Sequence, residues 1–203
     1  MSRDHEGFPY GVAPLAEPNT DSLFVTAGAN LSQFIRLQAR MRRWRVHFGW
    51  RGSTKAPSSV ESLHSEFAAC RVSDLPLRVS NLNSDPVIYD SPATNLAFRY
   101  WHDTGHVIFG LSFNTGDELE LADHHLEALR AEGYGHQTVE HQLLHADTVG
   151  QALFTMRTGQ FVGNQVRFDT NCVLFGVEEA VTQELAALQA PSLCRKPHHD
   201  ILV

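Results

Sequence analysis

Residues 95–106 read Asn-Leu-Ala-Phe-Arg-Tyr-Trp-His-Asp-Thr-Gly-His and contain two histidines, an aspartate and an arginine. On a helix, Arg99, His102 and His106 share one face. Asp103 lies beside them, one turn after Arg99. Because apolar residues flank this group on both sides, we expect it to face a cleft rather than open water. Imidazole and carboxylate groups that leave water need partners, and a metal ion can supply them.

Two later segments repeat this combination of acids and histidines at helical spacing. The first contains Glu118, His124 and His125, and the second contains Glu140, His141, His145 and Asp147. Because short turns separate the three segments, their helices are expected to be neighbours in space and to form the walls of one metal site. Histidine and carboxylate ligands without cysteine suit a divalent transition metal, and zinc, manganese, iron, cobalt and nickel all stay open.

The elements that must position these groups are predicted to be helices. The motif helix begins at Pro92, because a proline followed by polar residues is typical of a helix start. Apolar periodicity predicts further helices over residues 30–46, 60–70, 117–131, 136–156 and 177–188. Residues 74–90 alternate apolar residues with Asn, Asp, Ser and Pro, which predicts two short extended segments. Residues 49–59 are rich in Gly, Ser and Pro and predict a loop.

We therefore predict a mainly α protein. Residues 30–190 are expected to form a single helical metal-binding domain with a few short extended segments, since a chain of 203 residues can bury one core. Residues 1–29 contain several glycines and prolines with little periodicity and are expected to be an irregular leader. Residues 191–203 are expected to be a polar tail.

The composition is that of an ordinary globular protein, with 42% hydrophobic and 19% charged residues. No apolar run approaches the roughly 18 residues that span a bilayer, and the first residues lack the apolar middle of a signal peptide. The three cysteines, Cys70, Cys172 and Cys194, are far apart and predict free thiols in a reducing compartment. We therefore expect a cytoplasmic protein without a membrane partner.

Charge is distributed unevenly along the chain. The net charge of −7 argues against a dedicated nucleic-acid-binding protein. Residues 36–55 nevertheless carry seven basic side chains and no acidic one: Arg36, Arg40, Arg42, Arg43, Arg45, Arg51 and Lys55. We interpret this segment as the solvated face of a helix that packs on the core. Binding of nucleic acid through Arg36 to Arg51 is the less favoured alternative, and a homo-oligomer stays open.

Residues 102–110, His-Asp-Thr-Gly-His-Val-Ile-Phe-Gly, carry a resemblance to a known family. They resemble the His-Asp-x-Gly-His-x-x-Phe-Gly stretch of HD-superfamily phosphohydrolases, particularly the deoxynucleoside triphosphate triphosphohydrolases. The resemblance implies a mainly helical fold in which His102 and Asp103 ligate a metal. The match is strong over these nine residues and reaches the other ligands only by their position in the chain.

In the HD superfamily an earlier histidine and a later aspartate complete the ligand set. By this resemblance, His64 and Asp147 would take those two places, because their order along the chain matches. If His64 is instead a surface or capping histidine, the later helices would hold the metal, and His141 and His145 are the ligands they offer.

The expected function is therefore a metal-dependent phosphohydrolase that acts on a nucleotide or another small-molecule phosphate ester. A metal lowers the pKa of bound water toward neutrality and so prepares it to attack phosphorus. His106 or His125 would act as the acid for the leaving oxygen. By the resemblance, Glu118 would take an acid, base or supporting role. In a phosphohydrolase, Arg99 or an arginine of the Arg36 to Arg51 segment would hold phosphate oxygens, and a salt bridge with Asp103 is the alternative for Arg99.

A looser likeness to uncharacterised phage and mobile-element proteins covers more of the chain and implies no activity. It follows residues 99–106, 116–118, 150–151 and 159–165 in order. Two other functions stay open: a ferritin-like or haem-oxygenase-like bundle that holds two irons for oxygen chemistry, and a non-enzymatic, phage-associated binding protein stabilised by metal. The di-iron alternative calls for Glu-x-x-His on paired helices, whereas the motif helix has Asp103-x-x-His106.

Overall fold

The computed structural model describes residues 20–82 and 87–189. The helices are α1 (Thr20–Val46), α2 (Val60–Ser73), α3 (Pro92–Phe109), α4 (Thr115–Ala131), α5 (Val139–His145), α6 (Gln151–Thr158), α7 (Gln165–Phe175) and α8 (Val177–Gln189). A π-helical segment (Ala146–Gly150) joins α5 to α6, and two strands, β1 (Trp50–Ser53) and β2 (Leu77–Ser80), complete the described part. The prediction of a mainly α fold is confirmed. None of these helices combines the length and apolarity needed to cross a membrane.

The first helix begins earlier than the sequence indicated. Residues 20–29, which were expected to belong to the irregular leader, are the first turns of α1. The reason is tertiary: Ala27 is buried in the core, and a Cβ on Gly28 would lie 2.5 Å from the Ile88 carbonyl oxygen. Asn30, the expected cap, lies inside the helix and donates a hydrogen bond to Glu140. Residues 1–19 and the expected tail at residues 191–203 lie outside the described residues.

The strands β1 and β2 pair in parallel, with Trp50 opposite Leu77 and Ser53 opposite Ser80. The helix α2 is the crossover between them, as parallel pairing requires. The predicted loop at residues 49–59 therefore contains a strand, and β2 lies within the predicted extended stretch of residues 74–90, of which residues 83–86 are outside the described part. The Trp50 ring stacks on Tyr100, with centroids 4.7 Å apart, so the strand pair is anchored on α3.

The helix α3 lies at the centre of the larger core and contacts α1, α2, α4 and both strands. Its start is fixed locally, since Ser91 accepts a hydrogen bond from the Thr94 amide and Pro92 follows at the first helical position. It continues past His106 to Phe109 and ends at Gly110, whose φ of 72° suits a residue without a Cβ. Its buried face carries large aromatic side chains such as Trp101, which packs edge-on against Phe34.

The predicted helix at residues 136–156 is present as Val139–Thr158, but its middle turn is π-helical. A second, smaller core packs against this turn and includes Phe154 and Phe168. Gly150 permits the close packing, because a Cβ there would lie 3.2 Å from the Phe168 ring. A π-helical turn changes which side chains share a face, and such turns occur often at functional sites. Asp147 and Thr148 of this turn line a cleft together with residues of α3.

Candidate metal centre

Three side chains from α3 and α4 converge on one point. The Nε2 atoms of His102 and His106 are 3.1 Å apart. The Glu118 carboxylate presents one oxygen to each histidine, at 3.3 Å from His102 Nε2 and 3.5 Å from His106 Nε2. Across residues 20–82 and 87–189, this is the one group of three or more histidine, cysteine or acidic side chains close enough together to share an ion.

The three side chains are close enough together to share one ion. The separations of 3.1, 3.3 and 3.5 Å involve both Glu118 oxygens, and one ligand atom from each of the three residues lies within 4.8 Å of the other two. An ion about 2.1 Å from each ligand places neighbouring ligand atoms about 3.0 Å apart in octahedral and about 3.4 Å apart in tetrahedral geometry, so small side-chain movements suffice to bind it. Two histidines and one carboxylate are the ligand set of several catalytic zinc sites and of mononuclear iron sites.

Local structure explains why these three side chains meet. His102 and His106 are four residues apart on α3 and therefore share a face. Glu118 lies in the first turn of α4, which begins where the Asn114 side chain accepts a hydrogen bond from the backbone of Asp117. The two helices approach closely at Gly105, since a Cβ there would lie 2.7 Å from a methyl carbon of Leu121.

His125 contacts His102 on the ring nitrogen that does not face the cluster. Its Nε2 lies 3.3 Å from Nδ1 of His102, and its ring packs against Trp101 with centroids 3.9 Å apart. Burial, followed by the neighbouring His102, holds the pKa of His125 well below its ordinary value, so the ring is neutral. A contact of this kind fixes the orientation of His102 and leaves its Nε2 directed at the cluster.

Electrostatics favour a cation at this point. Burial by itself raises the pKa of the Glu118 carboxyl, but hydrogen bonds and charges from His102 and His106 outweigh it and leave the pKa below the ordinary value. Burial likewise lowers the pKa of His102, and the hydrogen bond and charge of Glu118 outweigh it and raise that pKa. The cluster thus attracts positive charge, which a proton supplies in the metal-free protein and a metal can replace.

The cluster opens into a cleft with a volume of about 670 Å³. Asp103, Arg99 and Asp147 line the same cleft. Burial raises the pKa of Asp103 to about 6, against the opposing effect of the neighbouring histidines. Arg99 donates to the Ser80 carbonyl oxygen at 3.2 Å, and its charge interacts with Asp103 and Asp147. Arg99 therefore lies between two acidic side chains of the cleft, Asp103 and Asp147, and interacts with both.

Asp147 lies in the π-helical segment and has its own fixed partners. It accepts hydrogen bonds from the Tyr89 hydroxyl at 2.6 Å and from the Gln151 amide at 2.7 Å. Gln165 in turn donates to Gln151 at 3.2 Å. Asp147 lines the cleft but does not belong to the three-residue cluster, and the same is true of Asp103.

The remaining sequence-predicted ligands lie elsewhere. His64 is exposed on α2 and does not line the cleft. His141 is buried, its ring is edge-on to His136, and its Nε2 has no hydrogen-bond partner among residues 20–82 and 87–189. His145 is half-buried at the end of α5, and neither of these two histidines lines the cleft. The π-helical turn begins directly after His145, and the residues of this helix that line the cleft, beginning with Asp147, follow that point.

Several cleft residues were not assigned a role from the sequence, among them Asn95, Thr148, Gln151 and Gln165. For the two glutamines a signal existed, because both fall in the segments that carry the predicted likeness to phage and mobile-element proteins. Asn95 opens the stretch that was singled out first, but an asparagine near a helix start is more typical of a cap. Tyr89 gave no signal, since its contact with Asp147 spans 58 residues of chain.

Asp169 on α7 is expected to weaken the fold near neutral pH. Neither of its carboxylate oxygens has a hydrogen-bond partner within the described residues, and the side chain is 0% exposed. Burial, followed by the charge of Asp147, raises its pKa well above the ordinary 3.8. The unfolded chain ionises Asp169 above about pH 4, whereas the folded chain keeps it protonated, so its contribution to stability falls as pH rises toward the raised pKa.

Asp169→Asn replaces the ionisable carboxyl with an amide. It should stabilise the protein by about 1–3 kcal/mol at about pH 8, with a smaller gain at about pH 5. Thermal unfolding followed by circular dichroism at both pH values measures the difference. Glu179→Gln, on the exposed part of α8, is the matched control and should change the unfolding temperature little. A larger gain at the lower pH would contradict the assignment.

Comparisons of the chain with protein-family models, with curated proteins and with solved structures found no match. The resemblance to the HD superfamily stays a prediction. Of the ligands it implies, His102 alone lies in the three-residue cluster.

Proposed function

We propose that this protein is a metal-dependent hydrolase in which His102, His106 and Glu118 hold one divalent transition metal. The observation that carries the proposal is the convergence of the two imidazole Nε2 atoms and the Glu118 carboxylate at the wall of a cleft of about 670 Å³. Three protein ligands leave coordination positions free for water or substrate, which distinguishes a catalytic metal site from a closed structural one. A metal in such a site supplies an activated water and polarises the bond to be cleaved.

Asp103 is the proposed proton acceptor for the attacking water. It follows His102 directly and lines the cleft without joining the ligand cluster. In the zinc-binding sequence His-Glu-x-x-His, the acid after the first histidine is the general base, and His102-Asp103-Thr104-Gly105-His106 has the same spacing with a shorter acid. A carboxyl with a pKa of about 6 is ionised at neutral pH and is a better base than an ordinary aspartate.

A phosphate ester is the proposed substrate. Arg99 lines the cleft on the same helix as the ligands and contributes positive charge beside the site. Asp103 and Asp147 offset part of that charge, so the cleft favours a substrate with a single negative charge, such as a diester, over a polyphosphate. His125, which is held neutral against His102, is assigned a positioning role rather than that of an acid.

A second candidate is hydrolysis of a carboxyl ester or amide. Two observations favour it: the ligand set of two histidines and one glutamate, and the acid directly after His102. Both are features of zinc-dependent peptidases. The two candidates share metal, ligands and base, and they differ in the bond that is cleaved.

The test begins with the full chain, which is stripped of metal with a chelator and reloaded separately with zinc, manganese, iron(II), cobalt or nickel. Bound metal is measured by elemental analysis. Turnover is measured with bis(4-nitrophenyl) phosphate, a nucleotide panel, 4-nitrophenyl acetate and a peptide mixture. We expect equimolar metal and metal-dependent release from the phosphate diester. Release confined to the acyl substrates would transfer the assignment to the second candidate.

Three outcomes would overturn the hydrolase proposal. Metal binding without turnover of any substrate class would favour a metal-stabilised binding protein. Oxygen consumption by the iron(II) form, with a new absorbance band after anaerobic loading, would favour oxygen chemistry. Failure to bind any of the five metals would remove the basis of the proposal.

A further inference from the structure

The cleft contains both polar and apolar side chains around the metal centre. Asn95 and Arg99 precede His102 on the same helix, and a rise of about 1.5 Å per residue places Asn95 about 10 Å from His102 along the axis of α3. Phe113 follows the end of α3 and lines the same cleft, as do Met156 and Phe161. Polar side chains such as Thr155 and Gln165 also line it.

The apolar part is open to solvent. Phe113, Met156 and Phe161 are 37%, 53% and 65% exposed. Single exposed apolar residues are common on protein surfaces, but these three come from separate segments and line one cleft. Phe113 also packs edge-on against the His106 ring, with centroids 4.8 Å apart. Apolar surface therefore begins directly beside a proposed metal ligand.

Asn95 gives independent evidence that the cleft is built for a ligand. Its side chain lines the cleft, is 4% exposed, and has an amide nitrogen without a hydrogen-bond partner within the described residues. Leaving a buried donor unpaired is costly, and such groups normally have a partner. A ligand with a hydrogen-bond acceptor at this depth would satisfy it.

We propose that the cleft selects substrates with an aromatic or similarly bulky apolar group next to the scissile bond, and that Phe113, Met156 and Phe161 bind this group. The placement of the scissile bond at the metal rests on the function proposed above. These three side chains supply exposed apolar surface in the cleft, and Phe113 packs directly on His106 of the metal centre. An aryl ester therefore fits this cleft better than an ester of a small, polar alcohol.

Two metal-chelating probes that differ in their apolar part test the inference without turnover. The cobalt(II) form is titrated with benzohydroxamate and with acetohydroxamate, and binding is followed by the cobalt absorption bands. We expect benzohydroxamate to bind at least about tenfold more tightly, because its ring buries apolar area that a methyl group does not. Phe161→Ala and Met156→Ala should each reduce this ratio by about threefold or more while leaving acetohydroxamate affinity unchanged.

Phe175→Ala is the matched control, since Phe175 is 58% exposed and does not line the cleft. It should leave both affinities unchanged. Equal affinity of the two probes in the cobalt form, or an equal loss of both in Phe161→Ala, would overturn this inference and leave the hydrolase proposal intact. A chain that takes up no cobalt and no other metal would overturn both.

Discussion

Glu118→Ala is expected to abolish metal binding and hydrolysis together while the helical circular dichroism signal survives. Glu118 is the proposed ligand that α4 contributes, and without it the two histidines of α3 are left as a pair. Loss of groups that merely orient a ligand costs about 10- to 100-fold in metal affinity, so loss of a ligand should cost more than about a hundredfold. Elemental analysis after gel filtration, with turnover measured on the same sample, gives the result.

His64→Ala is the control for this prediction, because His64 is exposed on α2 and lies outside the cleft. It should bind metal and turn over as the unaltered chain does. Asp147→Asn separates the two ligand sets further, since Asp147 belongs to the set implied by the HD resemblance and not to the three-residue cluster. Metal retained in Glu118→Ala and lost in both other variants would show that the HD ligand set operates.

Asp103→Asn is expected to keep the metal and to lower kcat by about 10²- to 10⁴-fold, the usual range for loss of a general base. The amide has nearly the same shape as the carboxylate but cannot accept a proton. Burial raises the pKa of Asp103 to about 6 without a metal, and the positive charge of a bound metal lowers it from there. In the unaltered, metal-loaded chain, protonation of Asp103 should therefore reduce turnover as pH falls below about 6. This acid limb of the pH profile should be missing from the residual activity of Asp103→Asn.

Metal content, the pH profile and turnover together distinguish the roles that Asp103 could have. Metal content separates a ligand from a base, and the pH profile separates a base from a residue that only supports the fold. Thr104→Ser, the neighbouring substitution on α3, keeps the hydroxyl that donates to the Tyr100 carbonyl oxygen and should leave metal and turnover unchanged. Loss of metal from Asp103→Asn would make Asp103 a ligand, as the HD resemblance implies. Unchanged turnover would exclude a catalytic role.

Local signals determined much of α3. Ser91 and Pro92 fix its start, and the spacing of four residues places His102 and His106 on one face whatever surrounds the helix. The start of α4 was predicted less closely, at residue 117, whereas the helix begins at Thr115 with Asn114 as its cap. The mainly α fold followed from apolar periodicity of the same kind. These features depend on neighbours within a few residues, which the sequence displays directly.

Only the tertiary structure decided which acid joins the two histidines. Spacing along the chain offered Asp103, Glu118 and Asp147, and the close approach of α3 to α4 at Gly105 brings Glu118 to the imidazoles. His141 and His145, which precede the π-helical turn, do not line the cleft, whereas Asp147 within the turn does. Helix approach and a change of helical period depend on packing between residues distant in sequence, so no local pattern could reveal them.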